Sequence, residues 1–575
     1  MGSSAGAPAE LRRAGLPVIG GSGPASLLWL ALAGLLAFLV LYPIVWLVLE
    51  SVRSEAGGFT LAHYRAAATS PTFRTPALNS FILAASAGVL SVLIATPMAW
   101  AIARTDMPLR RLVRVLVFGS IVTPGMLTAL AWIILAGPNA GVLNRLFRGL
   151  THGSGGVNIF SLSGLVFVAV LECYPFAFLL ISGALSLVSV DMEDAANILG
   201  SNTRRTLFYI TLPLVLPAVL AGFILSFLEA LTLFSSPAMI GIPSRIFTLT
   251  TEIWSLFEFP RRVGVAAALA LPLLLVTIGL LWLQARLLGR RGYVTLTGKG
   301  GARRLIRLGW VRWPMLGFCL LVLACSVLLP YVVLFAYATA RSWGEPLGPA
   351  NFTLDHFRAV LFSNTAAQRA VRNSTVLALS AATAASALGA LVAYVAERRL
   401  LPGGPVLRGL AMAPMVIPGI VFAVGLFAGY TRAPLQLYGT LWILFIAYLT
   451  KFLPYAYMNT AAAVKSVHPE LEEAARIAGA GALGAFRDVT APLIRLGALA
   501  GWFIVFIYSL RELSASILLF TNATTVIGVT ILDLYEFGSW PGVSALGCML
   551  LAVNLGVIAV GYRLVGMNFL GGTRE

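Results

Sequence analysis

Apolar runs of roughly 20 residues or more recur along the whole chain, and each can cross about 30 Å of hydrocarbon as a helix. They lie near 27–49, 77–103, 112–135, 161–188, 207–234 and 263–288, then near 313–339, 373–396, 407–429, 437–462, 493–519 and 543–565. Composition agrees: 59% of the 575 residues are hydrophobic, 11% are charged, and mean hydropathy is +0.90. A water-soluble domain cannot hide that much apolar surface, so the bilayer acts as solvent and lipid is the first partner. The chain reads as an all-α polytopic membrane protein with about 12 transmembrane helices, six plus six.

The formal net charge of +18 would suggest nucleic-acid binding in a soluble protein. Here it reads as topogenic, with basic residues holding loops on the cytoplasmic side, and no nucleic acid is expected as a partner. With the amino terminus in the cytoplasm, Lys and Arg favour the inner loops. The richest is a linker carrying Arg290, Arg291, Lys299, Arg303, Arg304, Arg307 and Arg312. The expectation is a multi-pass protein of the bacterial cytoplasmic (inner) membrane. Residues 1–26, rich in Gly, Ala, Ser and Pro, read as a disordered cytoplasmic start. Arg12-Arg13 could begin a twin-Arg signal, but the run that follows is long enough to span and lacks a clear cleavage site, so an uncleaved anchor is expected. Residues 27–289 and 313–566 are then two halves, joined by the linker 290–312 and followed by a tail, 567–575.

The halves are copies. Glu193 to Pro213 reads EDAANILGSNTRRTLFYITLP, and Glu472 to Pro492 reads EEAARIAGAGALGAFRDVTAP. Glu, Gly and Pro keep one offset: 472−193, 479−200 and 492−213 all equal 279. LNSFILA, with Asn79 and Ser80, answers RNSTVLA, with Asn373 and Ser374. From Asn to acidic helix the first half is longer, 193−79 = 114 against 472−373 = 99, and the surplus is expected in the Gly- and Asn-rich stretch 137–160. An even number of crossings before the linker makes the repeats parallel, related by an axis along the membrane normal.

The duplicated segment has its own physics. Asp191, Glu193 and Asp194 open one short polar helix, and Glu470, Glu472 and Glu473 open the other, offsetting the positive ends of the helix dipoles. Ala195-Ala196 and Ala474-Ala475 allow another surface to approach, and Gly200 and Gly479 permit a sharp turn back to the membrane. One copy alone could be an ordinary interfacial helix. Two in register point to a docking surface presented twice.

This pattern resembles the Glu-Ala-Ala motif of ABC importer permeases, and the resemblance covers essentially all of 27–565. It departs from the motif at Asp194 in the first copy and at Ala491, before the final Pro, in the second. Further stretches resemble the fused ferric-iron permeases: YVTLTGKGG from Tyr293, IFTLTTEIWSL, and LRELSASILLF followed by VIGVTILDLYEFG. The resemblance implies a type I importer permease fold and docking on two separate ATPase subunits. It also implies substrate delivery by an extracytoplasmic binding protein, alternating access, and ferric iron as cargo. Thiamine, polyamine and phosphonate or phosphate-bearing anions belong to the same broad class, and a secondary transporter also uses parallel repeats.

Chemistry of other kinds is missing from the sequence. Between Gly292 and Gly298-Lys299 stand five residues, and Gly300 occupies the place of Ser or Thr, so this is not a phosphate-binding loop. ATP and Mg are expected on partner subunits, with no cofactor, metal site or catalytic residue on this chain. Cys173, Cys319, Cys325 and Cys548 all fall in apolar runs and read as packing thiols.

Charges inside the spans each need a partner or a watery path. Glu172 and Lys451 sit at equivalent mid-span positions, 451−172 = 279, and are expected to pair across the pseudo-two-fold interface or to find separate partners. Glu229, Arg511 and Glu512, with Ser514, lie in the spans after the acidic helices. They are expected either to line the translocation path as a polar constriction or to form a network that never touches cargo.

Overall fold

The computed structural model describes residues 24–54, 57–69, 71–151, 156–188, 192, 195–196, 198–289, 305–342, 345, 348–398 and 403–566. Glu193, Asp194 and most of the basic linker lie outside these described residues. Ten described helices are long and apolar enough to span, and two further runs are bent pairs, giving twelve if each pair is one span. The first half carries Pro24–Ser51, Pro71–Arg104, the bent pair Arg110–Val122 with Gly125–Ala136, Leu162–Leu187, Leu212–Thr232 and Val263–Gly289. The second carries a span from Arg312–Leu323 through Leu329–Ala338, then Thr365–Glu397, the bent pair Gly404–Met412 with Gly419–Tyr430, Leu441–Ser466, Ala491–Leu510 and Trp540–Val565.

The two bends correct the expectation of unbroken spans at 112–135 and 407–429. The axes turn by 100° at the first break and 107° at the second. Each break is an X-Pro-Gly sequence, Thr123-Pro124-Gly125 and Ile417-Pro418-Gly419. Proline drives the residue before it out of the helical region, and it is extended itself here. The ψ angles are 124° and 129° at Thr123 and Pro124, 116° and 140° at Ile417 and Pro418. Two successive extended residues end one helix and aim the next. The eleventh span also stops short of 519, at Leu510, and a separate short helix, Ser516–Leu519, follows.

Proline also shapes three helix starts. π-Helical turns at Leu207–Thr211, Ala324–Leu328 and Phe486–Thr490 each end two residues before a proline, at Pro213, Pro330 and Pro492. A proline ring presses on the carbonyl four residues earlier and offers it no N–H, so the turn containing that carbonyl widens. The first and third of these turns are repeat equivalents, 486−207 = 279.

Spans two, four and five pack together, as do spans eight, ten and eleven. The leading span of each half crosses to the other half. Pro24–Ser51 packs on Gly419–Tyr430, where the Tyr42 hydroxyl donates to the Gly429 carbonyl at 3.0 Å, and Arg432 pairs with Glu50 at 2.7 Å. Leu329–Ala338 packs on Gly125–Ala136, and the Trp132 indole donates to the Cys325 carbonyl at 3.1 Å.

Between the bent span and the next span the first half has 25 residues (137–161) and the second has 10 (431–440). The difference of 15 equals the drop in repeat offset from 373−79 = 294 to 279. The surplus folds as Val142–Thr151. Buried Asn144 ties it down, donating to the carbonyls of Gly137 (2.8 Å) and Val157 (2.7 Å) and accepting from the Val157 amide.

Candidate functional site

Both bends open onto one cavity of about 480 Å³ between the halves. Its lining includes Glu172, Glu229, Lys451, Arg511, Glu512 and Ser514, so the ionisable side chains singled out from the sequence gather around one space. Backbone freed by a break inside a membrane is tolerated where it lines such a cavity. Glycine follows each proline because these side chains sit against it. A Cβ at Gly125 would collide with the Glu172 carboxyl group. At Gly419 it would stand 2.5 Å from Lys451 Nζ and 3.0 Å from Ser514 Cβ.

Each charge has its own means of support. Lys451 Nζ lies 2.7 Å from Glu512 Oε2, and Glu512 Oε1 accepts the Ala515 amide at 2.7 Å. Glu172 accepts from the Ser236 hydroxyl and sits at the amino end of Gly125–Ala136, where the helix dipole favours an anion. The expected Glu172–Lys451 ion pair is therefore corrected: Lys451 pairs within its own half. Arg511 reaches across to the first half. Its Nη1 donates to the carbonyls of Ile121 and Thr123, at the negative end of Arg110–Val122, and its guanidinium lies 4.4 Å from the Tyr508 ring centroid. Glu229 lines the cavity, and its carboxyl has no hydrogen bond or ion pair among the described residues; its backbone carbonyl accepts from the Thr232 hydroxyl.

The duplicated acidic helix lies at one end of the bundle. In the second half it is Glu470–Ile477. Its Gly479 takes φ 98°, with the Ala480 amide bonded to the Ala475 carbonyl at 3.0 Å. In the first half Gly200 takes φ 85°, and the Ser201 amide bonds the Ala196 carbonyl at 2.9 Å. Both are left-handed helix terminations that glycine adopts without a Cβ penalty.

Glu472 does not face outward. Its carboxylate is buried, accepting from Arg398 Nε at 3.0 Å, from the Tyr394 hydroxyl at 3.2 Å and from the Thr490 hydroxyl at 2.5 Å. Arg398 also donates to the Val467 carbonyl at 2.9 Å. Glu472 is thus a strut between the acidic helix and the eighth span. The outward side carries Glu473, Ala474 and apolar side chains that match by offset: Leu471 with Met192, and Ile477 with Ile198. Ile198 and Ile477 are 86% and 88% exposed. Ala195 is exposed, Ala196 is buried, and Ala475 is half-buried.

A family model described as "Binding-protein-dependent transport system inner membrane component" matches residues 91–292 and again 385–565. The chain belongs to this family. It is an ABC importer permease and a multi-pass inner-membrane protein, with one family domain in each half. The "Ferric transport system permease protein FbpB" of Actinobacillus pleuropneumoniae is 25% identical over 508 residues, 85% of this chain and 71% of that one. The "Probable ABC transporter permease protein y4fN" of Sinorhizobium fredii is 28% identical over 418 residues, 70% of this chain and 72% of that one. The "Putative 2-aminoethylphosphonate transport system permease protein PhnV" of Salmonella paratyphi A is 26% identical over 227 residues, 40% of this chain and 84% of that one.

The sequence reading found the Asn-Ser repeat of the permease but not its work. Asn79 donates to the Phe247 carbonyl (2.9 Å), and Ser80 accepts the Leu249 amide (2.7 Å). Asn373 and Ser374 do the same for the Thr525 carbonyl (2.9 Å) and the Ile527 amide (2.8 Å). The Asn-Ser repeat thus clamps the start of a short helix in each half, Leu249–Ser255 and Ile527–Glu536. Glu397, which pairs with Arg408 at 3.1 Å and Lys465 at 3.4 Å, also went unread. The signal for the bends was present: Pro124-Gly125 and Pro418-Gly419 share the 294 offset of the Asn-Ser pairs.

Proposed function

We propose that this permease is the membrane channel of an ATP-driven importer of ferric iron, with its amino terminus in the cytoplasm. Two separate ATPase subunits dock on the Glu-Ala-Ala segments, supply the ATP and Mg chemistry, and drive the halves between inward-open and outward-open arrangements. A binding protein delivers cargo to the opposite face. The correspondence of both halves, in one chain, with a relative named for ferric transport carries the cargo assignment. The relative named for a phosphonate covers 40% of this chain, against 85% for the ferric one. The docking assignment is supported by the paired apolar side chains, Met192 with Leu471 and Ile198 with Ile477, presented at one offset.

In this reading, Glu172, Glu229, Arg511, Glu512 and Ser514 border the translocation path, and the Lys451–Glu512 pair keeps its charge balanced. A hard cation in transit finds carboxylates there, and Arg511 holds the bend of the first half in place. The test is reconstitution with the partner ATPase and binding protein, followed by uptake of radiolabelled ferric iron, thiamine, spermidine and 2-aminoethylphosphonate. ATP-dependent uptake of iron alone is expected, and uptake of another cargo in its place refutes the assignment. Ile198→Asp with Ile477→Asp is expected to abolish ATPase co-purification while leaving a folded permease; retained association refutes the docking surface.

A further inference from the structure

Leu249–Ser255 and Ile527–Glu536 lie one span's length from the Glu-Ala-Ala segments, on the opposite face of the bundle. Each leads into the same dipeptide. Leu256-Phe257-Glu258-Phe259 answers Leu534-Tyr535-Glu536-Phe537, with 536−258 = 278 and 537−259 = 278. Phe259 and Phe537 are 98% and 87% exposed, so each half offers an acid and a bare aromatic ring. Glu258 and Glu536 line a pocket of about 600 Å³ together with Glu252, with Arg245 as the cationic residue of the lining and Trp254 and Phe247 as apolar walls.

Glu252 sets this pocket apart from a solvated acidic surface. The residue is 6% exposed, it lines the pocket, and its carboxyl has no hydrogen-bond or ion-pair partner among the described residues. Burial pushes that carboxyl above its ordinary range, with Arg262 pulling the other way. Glu536 is also raised, by burial first and then by Asp533 and Glu258. A carboxylate largely withdrawn from water and open only to a pocket favours a counter-charge that enters it. Among the described residues these acids do not gather into a group of three or more that could hold a metal ion. They surround a space that a long side chain could enter.

We infer that this pocket is a socket for a Lys or Arg side chain of the docking binding protein, with Phe259 and Phe537 as flanking apolar anchors. The inference rests on the importer reading above. An entering cation meets an acidic lining with Trp254 in its wall, and the exposed rings that follow Glu258 and Glu536 offer the partner apolar contacts beside it. The charge pattern defines the partner: a basic residue on the binding protein's docking surface, flanked by apolar ones.

The test uses the assembled importer in nanodiscs and its purified, cargo-loaded binding protein, with docking followed by interferometry. Glu252→Gln and Glu536→Gln are each expected to weaken docking about tenfold or more, the loss growing at low salt. Arg245→Gln removes the competing cation and is expected to tighten docking, which a misfolded variant cannot do. Equal docking by wild type and both carboxamide variants overturns the socket while the importer reading stands. Weaker docking by Arg245→Gln also overturns it. Binding of ferric iron to the importer alone, seen by calorimetry and lost in Glu252→Gln, makes the pocket a metal site and overturns it too. No docking by the wild type at all is instead the failure of the importer reading.

Discussion

Replacing Glu472 by Ala distinguishes a strut from a docking residue. The carboxylate holds Arg398 at 3.0 Å and also accepts from Tyr394 and Thr490. Both charged side chains are more than nine-tenths buried. Removing one member of such a pair leaves the other charge uncompensated and costs about 3–5 kcal/mol. Each orphaned hydroxyl adds about 0.5–1.5 kcal/mol, but all share one carboxylate, so the sum is not additive. A total of about 4 kcal/mol shifts the docked-to-undocked ratio of the helix by roughly three orders of magnitude. Nothing within the helix can offset that, because Glu470–Ile477 is eight residues long, and isolated helices below about 12–15 residues are marginal in water.

Hydrogen exchange of the permease in nanodiscs should therefore show Glu473 to Ile477 exchanging far faster in Glu472→Ala than in wild type. ATPase co-purification should fall in parallel. Glu472→Gln keeps one acceptor oxygen, enough for the Thr490 or the Tyr394 hydroxyl but not both, and should fall between. Pairing Glu472→Leu with Arg398→Met should recover much of the protection, since a well-packed apolar pair can replace a buried ionic one. Wild-type protection in Glu472→Ala, combined with loss of ATPase binding, would show that Glu472 touches the ATPase directly and would refute the strut.

Further outcomes follow from the same structure. Lys451→Met should lower the stability of the permease by about 3 kcal/mol, because Glu512 is left buried and alone. Exchanging the two charges, Lys451→Glu with Glu512→Lys, should restore most of the thermal midpoint, whereas Lys451→Glu with Glu172→Lys should not. Ser80→Ala and Ser374→Ala should each cost about 1 kcal/mol and speed amide exchange at Leu249 and Ile527 respectively. Docking of the binding protein should weaken as pH falls. The raised carboxyls of Glu252 and Glu536 take up protons above the usual carboxylate range, and only their ionised forms attract a cation. Glu258, Asp533, Arg245 and Arg262 complete the charges around them, and pH-independent docking would count against the socket.

What the sequence disclosed depended on whether the signal was local. A span needs only a sustained apolar run, and a repeat needs only a constant offset, so the membrane class, the duplication and the Glu-Ala-Ala segments were all legible. The bends were not, because hydropathy runs unbroken through Pro124-Gly125 and Pro418-Gly419. The burial of Glu472 depends on which side of a two-turn helix meets Arg398, and adjacent glutamates look alike from sequence. Of the two arrangements open to Glu172 and Lys451, the structure takes separate partners, for a geometric reason. A shared offset fixes equivalent places in two repeats, but equivalent residues touch only when they lie against the symmetry axis.

The same comparison of halves separates scaffold from lining. Positions that bend, turn or clamp the backbone are duplicated: Pro124-Gly125 with Pro418-Gly419, Asn79-Ser80 with Asn373-Ser374, Gly200 with Gly479, Pro213 with Pro492. The ionisable positions around the cavity are not. Glu172 stands where the second half has Lys451, and at the same offset Glu229 answers Tyr508, Thr232 answers Arg511 and Leu233 answers Glu512. A homodimer of either half would place each of these charges twice around one low-dielectric space, and like charges there repel far more strongly than in water. Joining two unlike halves in one chain removes that constraint. Lys451 and Glu512 can then neutralise each other on one side while Arg511 reaches over to hold the bend of the other. If that asymmetry is what permits a charged cavity, a permease assembled from two copies of the second half should insert and bend normally. It should lose thermal stability at the cavity, where Arg511 would be duplicated, and Arg511→Thr in one copy should restore it.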